Sequence, residues 1–262
     1  MENRLLSLHH LTALDVTPVE WIAIAGRLGC DYVTLFSHVP EQARHIYPVV
    51  KADDVALVRD ALARANVAVC NLEVFPLDQD GDLDRFADGL RTGAAIGATR
   101  ATAHLHDMAD EAQGMARFAA FCAMAADHGI VAGLEFNGFS AVRDIESAAR
   151  IVRGAQSGTL VLDVLHLMRN GGDAAAVARH ADLITYAQLC DGPLDIAPDA
   201  TWHEAVRERG LPGAGAFPLG AIKAALHPHA IIEAEVPQTA ARKAGVPAEE
   251  RARNAIAGIL RL

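Results

Sequence analysis

The sequence predicts an α/β fold, a single closed (βα)8 barrel over residues 1–262. Three observations carry that expectation. Short apolar runs alternate with helix-length amphipathic segments along the whole chain, at a period of roughly 30 residues. Eight such strand-then-helix units fit the 262 residues, and strands alternating with helices imply parallel strands with right-handed crossovers. No Gly-rich dinucleotide turn follows the first strand, and no linker rich in Pro, Gly or Ser divides the chain. A closed barrel in one domain therefore fits better than an open sheet or two domains.

The elements follow in order. A first strand covers 5–13. Thr17 or Asp15 caps the next helix, with Pro18 at its first turn and Gly29 as its stop. Strand two covers 31–36, and the helix over 52–65 opens on Asp53 and Asp54. Strand three covers 67–75, with a helix over 83–96 closed by Gly97. Strand four covers 100–105, with a helix over 110–127 and Gly129 beyond it. Strand five covers 131–136 and its helix 142–153. Strand six covers 159–164 and a short helix 174–180. Strand seven covers 183–189, and a long loop leads to a helix over 218–226. Strand eight covers 230–236, and a helix over 248–260 closes the chain.

The chain carries 23 Lys and Arg against 33 Asp and Glu, a formal charge of −10, with no basic run or stripe. A nucleic-acid surface has little electrostatic support on that balance, so no nucleic-acid partner is expected. No apolar run is long enough to span a membrane, and the N-terminus lacks a signal-peptide core, so no membrane partner and a cytoplasmic location are expected. Cys30, Cys70, Cys122 and Cys190 are far apart without a Cys-x-x-Cys pair. They read as reduced, mostly buried thiols. Aromatic content is 5%, which argues against a flavin, haem or sugar-stacking platform.

The informative residues are oxygen donors at strand ends: Glu135, Asp163, Gln188 and Glu233, one on each of strands five to eight. A charged group ending a buried strand is costly unless something pairs with it. In a barrel these ends meet at one mouth, so a shared hard cation is the expected partner. Glu235 shares a strand face with Glu233 and competes for the same role. His104 and His106 bracket Leu105 and share a face, and with Glu73 and Asn137 they are expected to line the substrate pocket. Arg169 and Arg242 are placed in loops near the mouth, where a carboxylate or phosphate could meet them. Trp202, in the long seventh loop, is a candidate cover. His166 lies three residues after Asp163, so it reaches the same site only if the strand ends at Asp163 and the chain turns.

Glu135 in Leu-Glu-Phe-Asn, Asp163-Val-Leu-His166, Gln188-Leu-Cys-Asp191, Pro212-Gly-Ala-Gly215 and Glu233 together resemble the xylose isomerase-like TIM-barrel superfamily, over essentially the whole chain in strand order. The resemblance implies metal ligation by Glu135, Asp163, Gln188 and Glu233, proton transfer by Glu135, His166 or Glu233, and one divalent cation. Many members carry histidine where this chain has Gln188. An amide oxygen makes the site harder and favours manganese or magnesium over zinc. The implied chemistry is isomerisation or epimerisation of a sugar or related α-hydroxyketone through an enediolate. The alternative is dehydration of a cyclic hydroxyketone, as in 3-dehydroshikimate or inosose dehydratases. An apurinic-site endonuclease fits less well, because Gln188 replaces a histidine of its metal cluster and 199–203 lacks the Asp-x-His spacing. A non-catalytic barrel subunit is the remaining reading. Barrels of this type often pair, so a homo-oligomer is compatible with the resemblance.

Overall fold

A computed structural model describes residues 5–262. The part of the N-terminus at 1–4, read above as lacking a signal-peptide core, lies outside the described residues. Eight parallel strands close into a barrel in sequence order, with the eighth pairing back to the first. The elements are β1 (Leu6–His9), α1 (Pro18–Arg27), β2 (Tyr32–Phe36), α2 (Val55–Ala65), β3 (Ala68–Asp78), α3 (Ala87–Ala95) and β4 (Arg100–His106). They continue with α4 (Glu111–Ala126), β5 (Val131–Glu135), α5 (Ile145–Ala155), β6 (Thr159–Asp163), α6 (Val164–Arg169), α7 (Ala174–Arg179) and β7 (Ile184–Leu189). The chain ends with α8 (Thr201–Arg207), α9 (Leu219–Ala225), β8 (Ile231–Ala234), α10 (Thr239–Lys243) and α11 (Ala248–Arg261).

Local chemistry sets most boundaries. Thr17 accepts the Glu20 N–H and caps α1, with Pro18 as the first helical residue. Asp15, the other candidate cap, instead pairs with buried Arg251 at 2.6 Å. Asp110, Asp144 and Asp173 cap α4, α5 and α7 through side-chain bonds to the backbone. Gly97 and Gly129 follow helices at φ 82° and 72°, a conformation that side chains with a Cβ resist.

Three expectations are corrected. The first strand stops at His9, because His9 Nδ1 accepts the Leu11 N–H and turns the chain into a 3-10 segment over His10–Ala13. The chain turns into α6 directly after Asp163, where a loop was expected. The long seventh loop contains α8. All four cysteines are free and buried. Among the described residues no helix is long and apolar enough to cross a membrane.

His10 lies fully buried behind the first strand. It stacks on Trp21 at a centroid distance of 5.4 Å, and its Nε2 donates to Val16 O at 3.1 Å. Its Nδ1 is buried without a partner, so protonation there would bury an unsatisfied charge. Burial lowers its pKa from 6.5 to about 3. The unfolded chain therefore binds this proton first as pH falls. The stabilisation is complete above pH 6.5 and is lost toward pH 3, at about 1.4 kcal/mol per unit. His10→Phe keeps the stack and removes the proton site. Urea unfolding at pH 7.5 and 5 should show the variant losing about 2 kcal/mol less than the parent. Equal losses would mean that His10 does not titrate in this way.

Candidate functional site

Alternate residues of each strand face the barrel interior, so the interior is filled in layers. Near the top, the strand ends bring together His9, Glu73, His104, Glu135, Asp163, Gln188 and Glu235. Glu73, Glu135, Asp163, Gln188 and Glu235 are all buried. Four of these are carboxylates, which cannot stay charged and close without cations between them.

One permanent cation is supplied by the chain, and His9, whose burial is outweighed by Glu73, Glu235 and Glu233 so that its pKa rises to about 10, adds a second positive charge. Arg209 Nη1 donates to Asp163 Oδ2 at 2.8 Å and lies 3.3 Å from Glu235 Oε2. Its Nε donates to Ala205 O at 2.9 Å, which fixes the guanidinium plane. The other Asp163 oxygen accepts the Leu165 N–H at 2.7 Å, so this carboxylate also caps α6. Burial opposes the charge on Asp163, but Arg209, His166 and the Leu165 N–H hold its pKa below the usual range. Glu235 moves the opposite way. Burial pushes its pKa well up, with Asp163 and Glu73 adding to the rise and Arg209 and His9 only partly offsetting it. One guanidinium is thus shared by two carboxylates and satisfies the nearer one.

Gln188 is held in one orientation. Its Nε2 donates to Glu73 Oε1 at 3.0 Å, and Asn71 Nδ2 donates to the same oxygen at 3.3 Å. His9 Nε2 stands 2.9 Å from Glu73 Oε2, without hydrogen-bond alignment. Burial works against the charge on Glu73, but His9, His104 and Gln188 keep its pKa low. With its amide N–H so committed, Gln188 leaves Oε1 buried and without any hydrogen-bond partner. An orphaned buried carbonyl is rare and calls for a ligand.

Glu135 Oε2 contacts His104 Nε2 at ion-pair distance. Burial disfavours protonation of His104, yet Glu135, Glu73 and Asp163 outweigh it and raise its pKa. His106 stands beside His104 with ring centroids 6.0 Å apart; burial and the neighbouring His104 lower its pKa. The first turn of α6 brings His166 back over the strand end, Nε2 3.7 Å from Asp163 Oδ2. Burial lowers the His166 pKa more than Asp163 and Glu135 raise it, so the ring is neutral near pH 7. Phe139 packs edge-on against both His166 (6.1 Å) and the exposed Trp202 (4.9 Å), which sets Trp202 above this corner.

Several assignments change with the structure in hand. Glu233 lies one layer lower than expected. Its Oε1 accepts from Ser7 Oγ (2.6 Å) and Thr34 Oγ1 (2.7 Å), and its Oε2 accepts from Tyr186 OH. Three hydroxyl donors already satisfy it below the mouth. Glu235, two residues on, takes the mouth position. Asn137 Oδ1 accepts the Phe139 N–H and its backbone closes the β5–α5 turn. Arg169 is committed to Glu204 (2.6 and 2.7 Å) and to the Pro193 and Leu194 carbonyls, so it staples α6 to the seventh loop and is not free for substrate.

Arg209 went unread in the sequence. The legible signal for Arg209 was the Gly-rich turn just after it. Asp191 pairs with Gly210 through two backbone bonds, and its carboxylate accepts the N–H groups of Gly192, Gly213 and Phe217. A Cβ on Gly215 would lie 2.3 Å from Asp191 Oδ1, so only glycine fits. This turn is what delivers Arg209 into the barrel.

Among the described residues, two groups of three present possible ligand atoms within 4.8 Å of one another: Glu135, Asp163 and His166, and His9, Glu73 and Glu235. Gln188 is bonded to Glu73 of the second group and, on β7, lies between the strands that carry Asp163 and Glu235.

A sequence profile described as "Xylose isomerase-like TIM barrel" matches residues 22–261. No curated protein matches by sequence. Among solved structures, a xylose isomerase-like TIM barrel/4-hydroxyphenylpyruvate dioxygenase fusion protein superposes with TM-score 0.83 at 19% identity. The match covers 98% of this chain and 42% of the fusion protein. The IolI protein with a bound zinc atom gives 0.77 at 18% identity, covering 98% of this chain and 96% of IolI. A D-allulose 3-epimerase from Methylomonas sp. in complex with D-allulose gives 0.72 at 18% identity, covering 100% and 98%. A probable 3-DHS dehydratase from Bacillus anthracis has the same fold. At these identities the neighbours speak for the fold. The profile match over most of the chain settles the lineage: this protein belongs to the xylose isomerase-like TIM barrel family.

Proposed function

We propose that the protein is a divalent-cation-dependent enzyme that isomerises or epimerises a sugar or related α-hydroxyketone. The observation that carries this reading is the orphaned Oε1 of Gln188, held in place by Glu73 among four buried carboxylic residues. The residues fit a cation. Glu135, Asp163, Gln188 through Oε1, and Glu235 would hold it, with Glu235 replacing Glu233 in the expected set. Four oxygen donors favour manganese or magnesium. When bound, such an ion supplies Lewis acidity toward a carbonyl and its neighbouring hydroxyl.

The chain's own groups handle the proton. His166 is neutral near pH 7 and buried at the mouth, which suits a base acting on a C–H next to a carbonyl. His104, whose pKa is raised by Glu135, suits the complementary acid. Phe139 and Trp202 shield this corner from water. Return of the proton to a neighbouring carbon or to the other face gives isomerisation or epimerisation. The dehydratase reading draws support from Gln188, in the place where many relatives carry histidine, and the residues above serve elimination of a β-hydroxyl equally.

The first test is metal content by mass spectrometry, for the parent and for Glu135→Gln and Gln188→Leu. About one manganese or magnesium per chain is expected in the parent, with affinity at least ~100-fold weaker in both variants. A parent that holds no divalent ion even in excess would sink the reading. With metal bound, incubation with candidate ketones separates the outcomes: an isobaric product marks isomerase chemistry, and a new conjugated-enone absorbance marks the lyase.

A further inference from the structure

A polar cavity of about 300 Å³ opens beside the segments that carry the carboxylate cluster. It lies between the turn after β1, the loop after β2, the end of α8 and the loop from β8 into α10. Its walls include Thr12, His45, Arg207, Pro237, Gln238 and Arg242. Three of these walls continue from the site. Thr12 lies in the turn that follows His9, Pro237 comes two residues after Glu235, and Arg207 two residues before Arg209. Burial raises the pKa of Tyr47, and the charges that act on its hydroxyl are Arg207, Glu73, Glu235 and Arg209. One side chain therefore senses both the cavity wall and the cluster.

The charge of this cavity runs against the rest of the molecule. Arg251 and Asp15 also line it and neutralise each other through two contacts of 2.6 and 2.7 Å. Glu208, the nearest acid in sequence to Arg207, accepts the Ala240 N–H. The side chains of Arg207 and Arg242 make no hydrogen bond or ion pair to any described residue, although Arg207 is half-buried. Two guanidinium groups without an ion-pair partner among the described residues thus face one concavity in a chain of net charge −10. Guanidinium forks match the oxygens of phosphate and carboxylate, and a cleft with an excess of one sign of charge concentrates the opposite ion. A volume of about 300 Å³ lies at the lower end of small-molecule sites.

We propose that this cavity is an anion-binding annex of the barrel mouth, in which Arg207 and Arg242 hold a phosphate or carboxylate group. The annex selects among hydroxyketones by their charged end, while the carboxylate cluster handles the reacting end. Assignment of the anion to the substrate rests on the proposed function; binding of an anion there does not.

The probe is inorganic phosphate, titrated into metal-free protein by calorimetry for the parent, for Arg242→Gln and for Arg207→Met/Arg242→Met. Saturable binding by the parent is expected, weakened about tenfold or more in the double variant and partly in the single one. Both side chains are solvent-accessible, so both variants should unfold at the parental temperature. No binding by the parent, or equal binding by the folded double variant, overturns the proposal. Mn²⁺ affinity, measured in parallel, should agree between parent and double variant within about twofold, since neither arginine is a proposed ligand. If no protein binds Mn²⁺ but phosphate behaves as expected, the functional reading fails and the anion site stands. D-fructose 6-phosphate then identifies the source in Mn²⁺-loaded parent protein. Binding tighter than that of inorganic phosphate makes the anion part of a substrate, and equal binding makes it a free ion; both outcomes support the site.

Discussion

Replacing Arg209 by methionine is expected to cost the metal-free protein about 3 kcal/mol or more, a fall in melting temperature of roughly 6–12 °C for a domain of this size. Methionine fills a similar volume, so packing is largely kept. The loss comes from Asp163, whose second oxygen would face the barrel interior without its 2.8 Å partner. Breaking one side of a buried ion pair costs more than the pair contributes, because the remaining charge stays desolvated. Glu235 softens the loss only slightly, since its raised pKa lets it take up a proton instead. The same variant tests the cation site. If Asp163 and Glu235 are ligands, Mn²⁺ should stabilise Arg209→Met more than it stabilises the parent, where the guanidinium already neutralises the same two carboxylates. Calorimetric melts with and without Mn²⁺ measure both effects. An unchanged melting temperature in the metal-free variant would show that Asp163 does not depend on Arg209.

Glu235→Gln and Glu233→Gln should separate two acids that stand two residues apart. Glu235→Gln is expected to weaken Mn²⁺ binding at least ~100-fold and to abolish turnover, since it removes one of only three carboxylates in the proposed ligand set. Glu233→Gln should leave Mn²⁺ affinity nearly unchanged and destabilise the fold by about 1–3 kcal/mol. The reason is the lower layer: Ser7, Thr34 and Tyr186 all donate to Glu233, and an amide nitrogen placed there would face a hydroxyl already donating toward it. Equilibrium dialysis with Mn²⁺ and urea unfolding read the two effects. A Glu233→Gln protein that loses the metal while Glu235→Gln keeps it would return strand eight to the assignment expected from sequence.

The barrel itself was legible because its evidence is local and repeats. Each strand and most helices carry their own apolar pattern, and caps such as Thr17 and stops such as Gly97 mark the ends within a few residues. Glu135, Asp163 and Gln188 were legible for the same reason: each ends or nearly ends its strand, and a closed barrel gathers strand ends whatever lies between them. His166 was legible only as a condition, that the chain turn after Asp163. The aspartate meets that condition by capping α6.

The rest depended on depth and on partners, which strand periodicity does not encode. Glu233 and Glu235 face the same way, and a period of two cannot say which layer of the barrel each occupies. The stagger of the closed sheet decides it, by setting Ser7 beside Glu233 in the β1–β8 register. Arg169 and Arg209 look alike as loop arginines in the sequence. One is consumed by Glu204 and two carbonyls, and the other enters the barrel because the Asp191–Gly215 turn folds its segment inward. The sequence by itself determined the fold, through short-range patterning, and pointed to Glu135, Asp163 and Gln188 as candidates at the strand ends. Only the tertiary structure separated Glu235 from Glu233, placed the arginine between the carboxylates and left the carbonyl of Gln188 unpartnered, because each depends on contacts between residues far apart in the chain.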